Sequence, residues 1–289
     1  MRFTEVPPRH GAPARVCVCV DDFGLHPAIN QAVLHLVELG RVQATSVMVD
    51  GPAWASGAQA LQSVSTNTLD VGLHLDFTEL AVAERIVPVR PLRQMWQASY
   101  GRRFVSAQLA QEIHRQLDKF EQHAQRMPAY VDGHQHIHQL PQVREALLQV
   151  LEQRYGQAPT KPWLRNTRAG AGLAAGWGNA AKAQVIAALG QGAFMRQAQA
   201  LGYASNRSLL GVYGFTGDAA AFQRLLQAWL QRAQDGDLLM CHPALGQVEG
   251  DAIAAARVQE YQVLASDWLG TLLPTLPLQL QPLSRSLAN

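Results

Sequence analysis

Four groups of acidic and imidazole side chains each follow a short apolar segment. They are Asp21-Asp22 after Val16-Cys17-Val18-Cys19-Val20, His74 within Gly72-Leu73-His74-Leu75, the run Asp132-Gly133-His134-Gln135-His136-Ile137-His138 after Ala129-Tyr130-Val131, and His242-Pro243 after Leu238-Leu239-Met240-Cys241. Two adjacent carboxylates at the end of a buried strand are costly unless a cation or a shared proton offsets their charge. Two imidazoles and one carboxylate, with positions left open for water, form a common hydrolytic metal site. A second carboxylate can then act as general base and a separate histidine as general acid. By ligand type such a set suits one zinc ion, and magnesium or manganese would bind with more water in the shell.

The histidine run permits two geometries. On an extended strand His134 and His136 point the same way, about 6.6 Å apart, close enough to share an ion, while His138 lies about 13 Å from His134. If the chain turns helical there, His134 and His138 become the neighbours. Spacing leaves both pairings open.

Each group also has a simpler reading taken singly. His74 between leucines could be a hydrogen-bonded core histidine, one of the two acids could cap the following helix, and the histidine run could be an exposed adventitious metal binder. His26, His35, His114 and His123 read as structural or solvated. All four groups at strand ends is harder to dismiss, because a parallel sheet carries such ends to one rim.

The elements that must position them alternate. After the first strand, Pro27 to Leu39 has helical spacing and stops at Gly40; Ala44–Val49 reads as a strand, Pro52–Leu61 as a helix, Asp70–Leu75 as a strand. Ser106 to Gln125 carries Leu109, Ile113, Leu117 and Phe120 on one stripe. A short strand (129–132) and a helix from Pro141 to Leu151 follow, then helices over 180–201 and 219–234, a buried strand at 238–241 and a helix over 253–269. This order predicts one α/β domain, a (β/α) barrel or a near relative. Its core would run over about residues 14–272, with 1–13 and 274–289 as extensions, the latter poorly ordered. Two long irregular stretches, 78–100 and 163–179, carry Trp163, Trp177, Arg90 and Arg93 and are expected to cover a site that takes a sugar.

Bulk properties narrow the class. The chain has 289 residues, 24 basic against 22 acidic, and a net charge of +2. No block of like charge marks a nucleic-acid partner. The start lacks the apolar core of a secretory signal, and no stretch approaches the ~18 apolar residues of a membrane span. Three cysteines, two of them in the first strand, do not make a disulfide framework, and a cytoplasmic location is expected. An exposed apolar helix face would support a homodimer.

At these residues the chain resembles the YdjC-like carbohydrate deacetylases, which include chitooligosaccharide deacetylases. The matching segments are Asp21-Asp22-Phe23-Gly24-Leu25 with Asn30, Gly40–Val49, Gly72–Leu75, Asp132–His138 and Met240–Pro243, in the family's order from residue 16 to about 245. The first strand departs, with Cys-Val-Cys-Val where relatives often have Asn-Ala before the acids. The resemblance implies a distorted, TIM-like (β/α) barrel that uses one divalent metal ion, zinc or magnesium, to remove acetyl groups from N-acetylated sugars. It implies Asp22, His74 and His134 as metal ligands, Asp21 as the base, and His242 as the acid or oxyanion-stabilising partner. His136 and His138 would stand behind the ligands or touch substrate. Arg165 would bind the sugar or form an ordinary salt bridge. The rival readings are a metal-dependent hydrolase of another bond, a phosphoester or cyclic amide, and a noncatalytic sugar- or metal-binding protein.

Overall fold

The computed structural model describes residues 12–170 and 177–287. The expected extension at residues 1–13 therefore lies almost wholly outside the described residues, as does part of the 163–179 stretch. The apolar run before the two acids forms a ten-residue strand, β1 (Ala14–Phe23). It leads into α1 (Pro27–Glu38), β2 (Ala44–Val47), α2 (Trp54–Gln62), β3 (Asp70–Leu75), α3 (Leu92–Tyr100), α4 (Ser106–Ala124) and β4 (Tyr130–Gly133). A 3-10 turn (His134–Gln139) follows, then α5 (Pro141–Tyr155), β5 (Trp163–Leu164), α6 (Trp177–Ala188), α7 (Gln191–Ala200), β6 (Leu209–Leu210) and α8 (Ala219–Arg232). The chain continues through β7 (Asp237–Cys241), α9 (Ala254–Leu264), α10 (Asp267–Leu272), β8 (Leu278–Leu280) and α11 (Leu283–Leu287).

Seven strands run parallel in the order β5-β4-β3-β2-β1-β7-β6. The sheet curls into a distorted TIM-like barrel ringed by helices, a single α/β domain. Its outer strands meet only through isolated parallel bridges, Leu164 with Ser205 and Ala169 with Leu209. That is the distortion: one seam of the barrel is held by scattered pairs instead of a ladder.

Strand alternation divides β1 between two cores. Val16, Val18 and Val20 join the cluster beneath the helices, whereas Cys17 and Cys19 join a smaller one with Ala44, Tyr130, Trp163, Leu238 and Met240 inside the barrel. The interior is narrow, which favours small side chains on β1. The same constraint acts on β3, where a Cβ on Gly72 would lie 2.5 Å from the Tyr130 ring. Tyr130 in turn stacks on Trp163, with ring centroids 4.0 Å apart. Trp163 is buried in this interior and donates to Asp70, so it does not cover a site as expected of its segment.

Four other expectations are corrected. The described part of the expected 274–289 tail, residues 274–287, is not loose: β2 meets β1 only from Cys19 onward, and Leu278–Leu280 fill the open edge beside Ala14–Val16, with Leu283 buried behind them. The helix expected over 180–201 breaks at Gly190, whose φ of +124° no helix accommodates. The 253–269 helix breaks before Ser266, whose hydroxyl caps α10 by accepting from the Leu269 amide. The 78–100 stretch also contains a helix, α3, with Met95, Ala98 and Ser99 buried. Among the described residues no helix is long and apolar enough to cross a membrane.

Candidate active site

The last inward-facing residue of each central strand is polar. Asp21 continues the row Cys17-Cys19 of β1, Ser46 follows Ala44 on β2, His74 follows Gly72 on β3, and Asp132 follows Tyr130 on β4. Strict alternation would turn Asp22 away from its neighbour. Instead the β1–β2 register slips between Val20 and Phe23, and Asp22 adopts a left-handed φ of 69°. Such an irregularity re-aims a side chain. Here it lets two consecutive carboxylates serve one site.

Three of the expected residues converge. Asp22 Oδ1 lies 3.5 Å from His74 Nε2 and 3.3 Å from His134 Nδ1. One ligand atom from each of the three falls within 4.8 Å of the others. Asp22 Oδ1 is buried yet accepts no hydrogen bond. A buried carboxylate oxygen without a partner is costly, and a cation seated among these three groups would satisfy it. The second carboxylate oxygen is taken: it accepts from Arg257 Nη2 at 2.7 Å.

His74 is oriented from behind. Its Nδ1 lies 2.7 Å from Asp132 Oδ1, and a proton there leaves Nε2 with its lone pair toward Asp22. Carboxylate–imidazole–metal arrangements of this kind fix the tautomer and ring plane of a ligand. Asp132 is held by Ser46 Oγ at 2.5 Å and by Arg165 Nη2 at 2.6 Å. Burial lowers the proton affinity of His74, but Asp132, Asp21 and Asp22 outweigh it and raise its pKa. Burial opposes protonation of His134 too, but the nearby carboxylates of Asp22, Glu79 and Asp76 raise it to about 10. Both shifts have one cause, an excess of negative charge at the site. Among the described residues Asp21, Asp22 and Asp132 face only two arginines, Arg165 and Arg257, and Arg257 is shared with Asp251. The residues present fit a divalent cation.

Asp21, Asp132 and His74 also converge, but Arg165 already fills that space. Its Nη1 and Nη2 donate to the two oxygens of Asp21 at 2.6 Å each, and Nη2 also reaches Asp132. Arg165 has no exposed surface. Of its two expected roles it makes the salt bridge, and it is not among the residues that line the cavity described below. Burial pushes the Asp21 carboxyl up, yet the Arg165 and His74 charges hold it well below the usual range.

The remaining histidines separate. Among the described residues neither His136 nor His138 joins His134 in a group of three converging ligand atoms, and Gln135 and His136 between them adopt left-handed backbone (φ of 52° and 61°). His138 is buried, with Nε2 3.1 Å from the Arg165 carbonyl. His136 lines the cavity, and its Nδ1 has no hydrogen-bond partner. His242 lines it too, edge-on to Phe215, with Nδ1 likewise unpartnered. Burial, partly opposed by Asp22 and Asp21, lowers His242 to about 4.

These groups sit at the base of a cavity of about 700 Å³. Leu92 and Trp96 on α3 form one wall, so the 78–100 stretch does border the site. Val185 and Ile186 on α6, with Leu189 just beyond its end, form another, and Tyr213, Phe215 and Met240 a third.

Several contributors escaped the sequence reading. On α9, Arg257 grips Asp22 and Asp251, and Glu260 accepts from the His242 amide and the Tyr213 hydroxyl. Arg257, Glu260 and Leu264 fall at i, i+3 and i+7, the stripe an amphipathic helix keeps apolar. Two buried charges on that stripe were the available signal.

Fold and site together define a (β/α)-barrel protein with an Asp-His-His pocket at the C-terminal rim of its strands. Comparison with known proteins places it further: residues 15–274 match the model of the YdjC-like protein family, and the chain belongs to that family. It is 31% identical to a carbohydrate deacetylase of Mus musculus over 159 residues, 49% of this chain and 48% of the mouse protein. The match thus spans about half the length of that relative. A chitooligosaccharide deacetylase of Salmonella schwarzengrund is 26% identical over 86% of this chain and 90% of its own. Among solved structures, a candidate cellobiose-phosphate cleavage protein of Enterococcus faecalis superposes with a TM-score of 0.68 at 18% identity, covering 95% of this chain and 99% of that one, a likeness of fold.

Proposed function

We propose that this protein is a metal-dependent carbohydrate N-deacetylase, releasing acetate and a free amine from an N-acetylated sugar. The observation that carries this is the unsatisfied Asp22 Oδ1 between His74 and His134, beside a second carboxylate at the floor of a sugar-sized cleft. The names of the mouse and Salmonella relatives support the same reading.

Asp22, His74 and His134 would hold the ion. Bound there, a divalent cation lowers the pKa of water and polarises the acetyl carbonyl. Asp21 takes the proton of the attacking water. Its tie to Arg165 makes it a weak base but keeps it ionised and aimed. The water's oxygen bonds to the acyl carbon and the C–N bond breaks. His242, neutral at rest with a free Nδ1, relays the proton to the departing nitrogen. Trp96 and the apolar walls receive the sugar faces and exclude bulk water.

The test is acetate release from N-acetylglucosamine and a series of chitooligosaccharides, with metal-loaded protein and after chelation. Release that chelator abolishes and zinc or magnesium restores is the expected result. No release from any acetylated sugar by metal-loaded protein would overturn the proposal.

A further inference from the structure

The proposed mechanism leaves one cluster of buried charges unused. Beneath the loop that follows β3, the side chains of Asp50, Asp76, Arg85 and Glu112 are each at most 4% exposed. Arg85 reaches Asp76 Oδ2 at 2.5 Å, the Asp76 carbonyl at 2.7 Å and the Leu80 carbonyl at 2.6 Å. Arg115 joins Asp50 to Glu112, at 2.6 Å from each. Burying so many charges is seldom the best route to stability, so what they hold in place is informative.

They hold a short arc of backbone. Asp76 Oδ1 accepts from the amides of Thr78 and Glu79 at 2.8 and 2.9 Å, and Oδ2 accepts from Leu80 at 3.0 Å. The Glu79 side chain, 49% exposed, rises from this arc into the cavity and brings Oε2 to 3.7 Å from His134 Nε2. The other ring nitrogen of His134 faces Asp22. The two ligand histidines are thus mirror cases: His74 turns Nε2 inward with Asp132 behind Nδ1, and His134 turns Nδ1 inward with Glu79 behind Nε2.

We infer that the buried ion cluster under residues 76–86 is a positioning device that holds the Glu79 carboxylate against the outer nitrogen of His134, making Glu79 a positioning residue for that ligand. The inference rests on the metal site of the proposed function. Carboxylates behind ligand imidazoles fix the ring and strengthen its donor nitrogen. Glu79 does so from the cavity wall, where a bound sugar would also meet it.

Co2+ is the probe, since its visible spectrum reports the ligand geometry. Glu79→Ala is expected to weaken Co2+ binding by about 10- to 100-fold and to alter the spectrum, with the melting temperature of the metal-free protein unchanged. Glu79→Gln, which restores an acceptor, is expected to recover part of the loss. Arg85→Met is expected to weaken binding in the parent but not in the Glu79→Ala background, because the cluster acts through Glu79. Binding by Glu79→Ala within twofold of the parent, with the same spectrum, would overturn the role of Glu79. Equal losses from Arg85→Met in both backgrounds would overturn the role of the cluster. A parent chain that binds no Co2+ would remove the metal site itself, and the proposed function with it.

Discussion

The site has an inner and an outer half, built differently. The inner half (Asp21, His74, Asp132 and Arg165) is at most 2% exposed, and every member sits on a strand end or one residue beyond it. The outer half (His134, His136, Glu79, Trp96 and His242) stands on turns, a loop and a short helix that line the cavity. Asp22 belongs to both, strand-borne but swung outward by its left-handed backbone. Buried groups tied to one another by ion pairs and hydrogen bonds suit the task of aiming a base and a ligand. Partly exposed groups with unpaired nitrogens suit the task of meeting a substrate. The inner half therefore couples turnover to folding, while the outer half can change with little cost to the fold.

That division can be broken by variants on either side. Asp21→Asn is expected to cut kcat for acetate release by about 10³-fold while Zn2+ affinity stays within a few-fold. Unchanged turnover would remove Asp21 from the base role. Arg165→Met leaves Asp21 and Asp132 buried without their counter-charge, and urea denaturation is expected to show a loss of about 3–5 kcal/mol. A stability near that of the parent would mean the inner half is not a folding element.

Glu260 sharpens the boundary, since it lies behind His242 but is wholly buried. Burial raises its carboxyl to about 7 from the usual 4.5, against hydrogen bonds from Tyr213 and the His242 amide that lower it. The folded chain thus keeps a proton that the unfolded chain releases near 4.5. This contribution to stability is complete below about 4.5 and is lost as pH rises through 7. Relative to Glu260→Gln, the parent is expected to lose on the order of 3 kcal/mol across that window, read from urea midpoints at several pH values. A constant difference would place the titration elsewhere. The smallest effect is expected at the mouth: Trp96→Ala should raise KM about tenfold, roughly 1.4 kcal/mol, with kcat and the urea midpoint nearly unchanged. A loss of stability instead would assign Trp96 to the core.

Much of the inner half was legible in the sequence. Asp21, Asp22 and His74 end apolar runs, and a parallel sheet carries such ends to one rim. Arg165 drew notice, but no spacing says whether an arginine after a two-residue strand turns inward or outward. Glu79, Arg257 and Glu260 gave weaker signals, because a carboxylate on a loop or a charge on a helix is ordinary until its neighbours are known.

By itself the sequence determined the strands β1, β2, β3, β4 and β7 and which side chains close their ends, because period and polarity are local properties, whereas the two- and three-residue strands β5, β6 and β8 are too short to carry a period. Only the tertiary structure decided that β1 slips register to turn Asp22 beside Asp21, that His134 meets His74 and not its own neighbours His136 and His138, and that 278–280 completes the sheet. Each depends on contacts between residues far apart in the chain, where the cost of an unpaired charge or an open strand edge is settled by whatever the fold brings alongside.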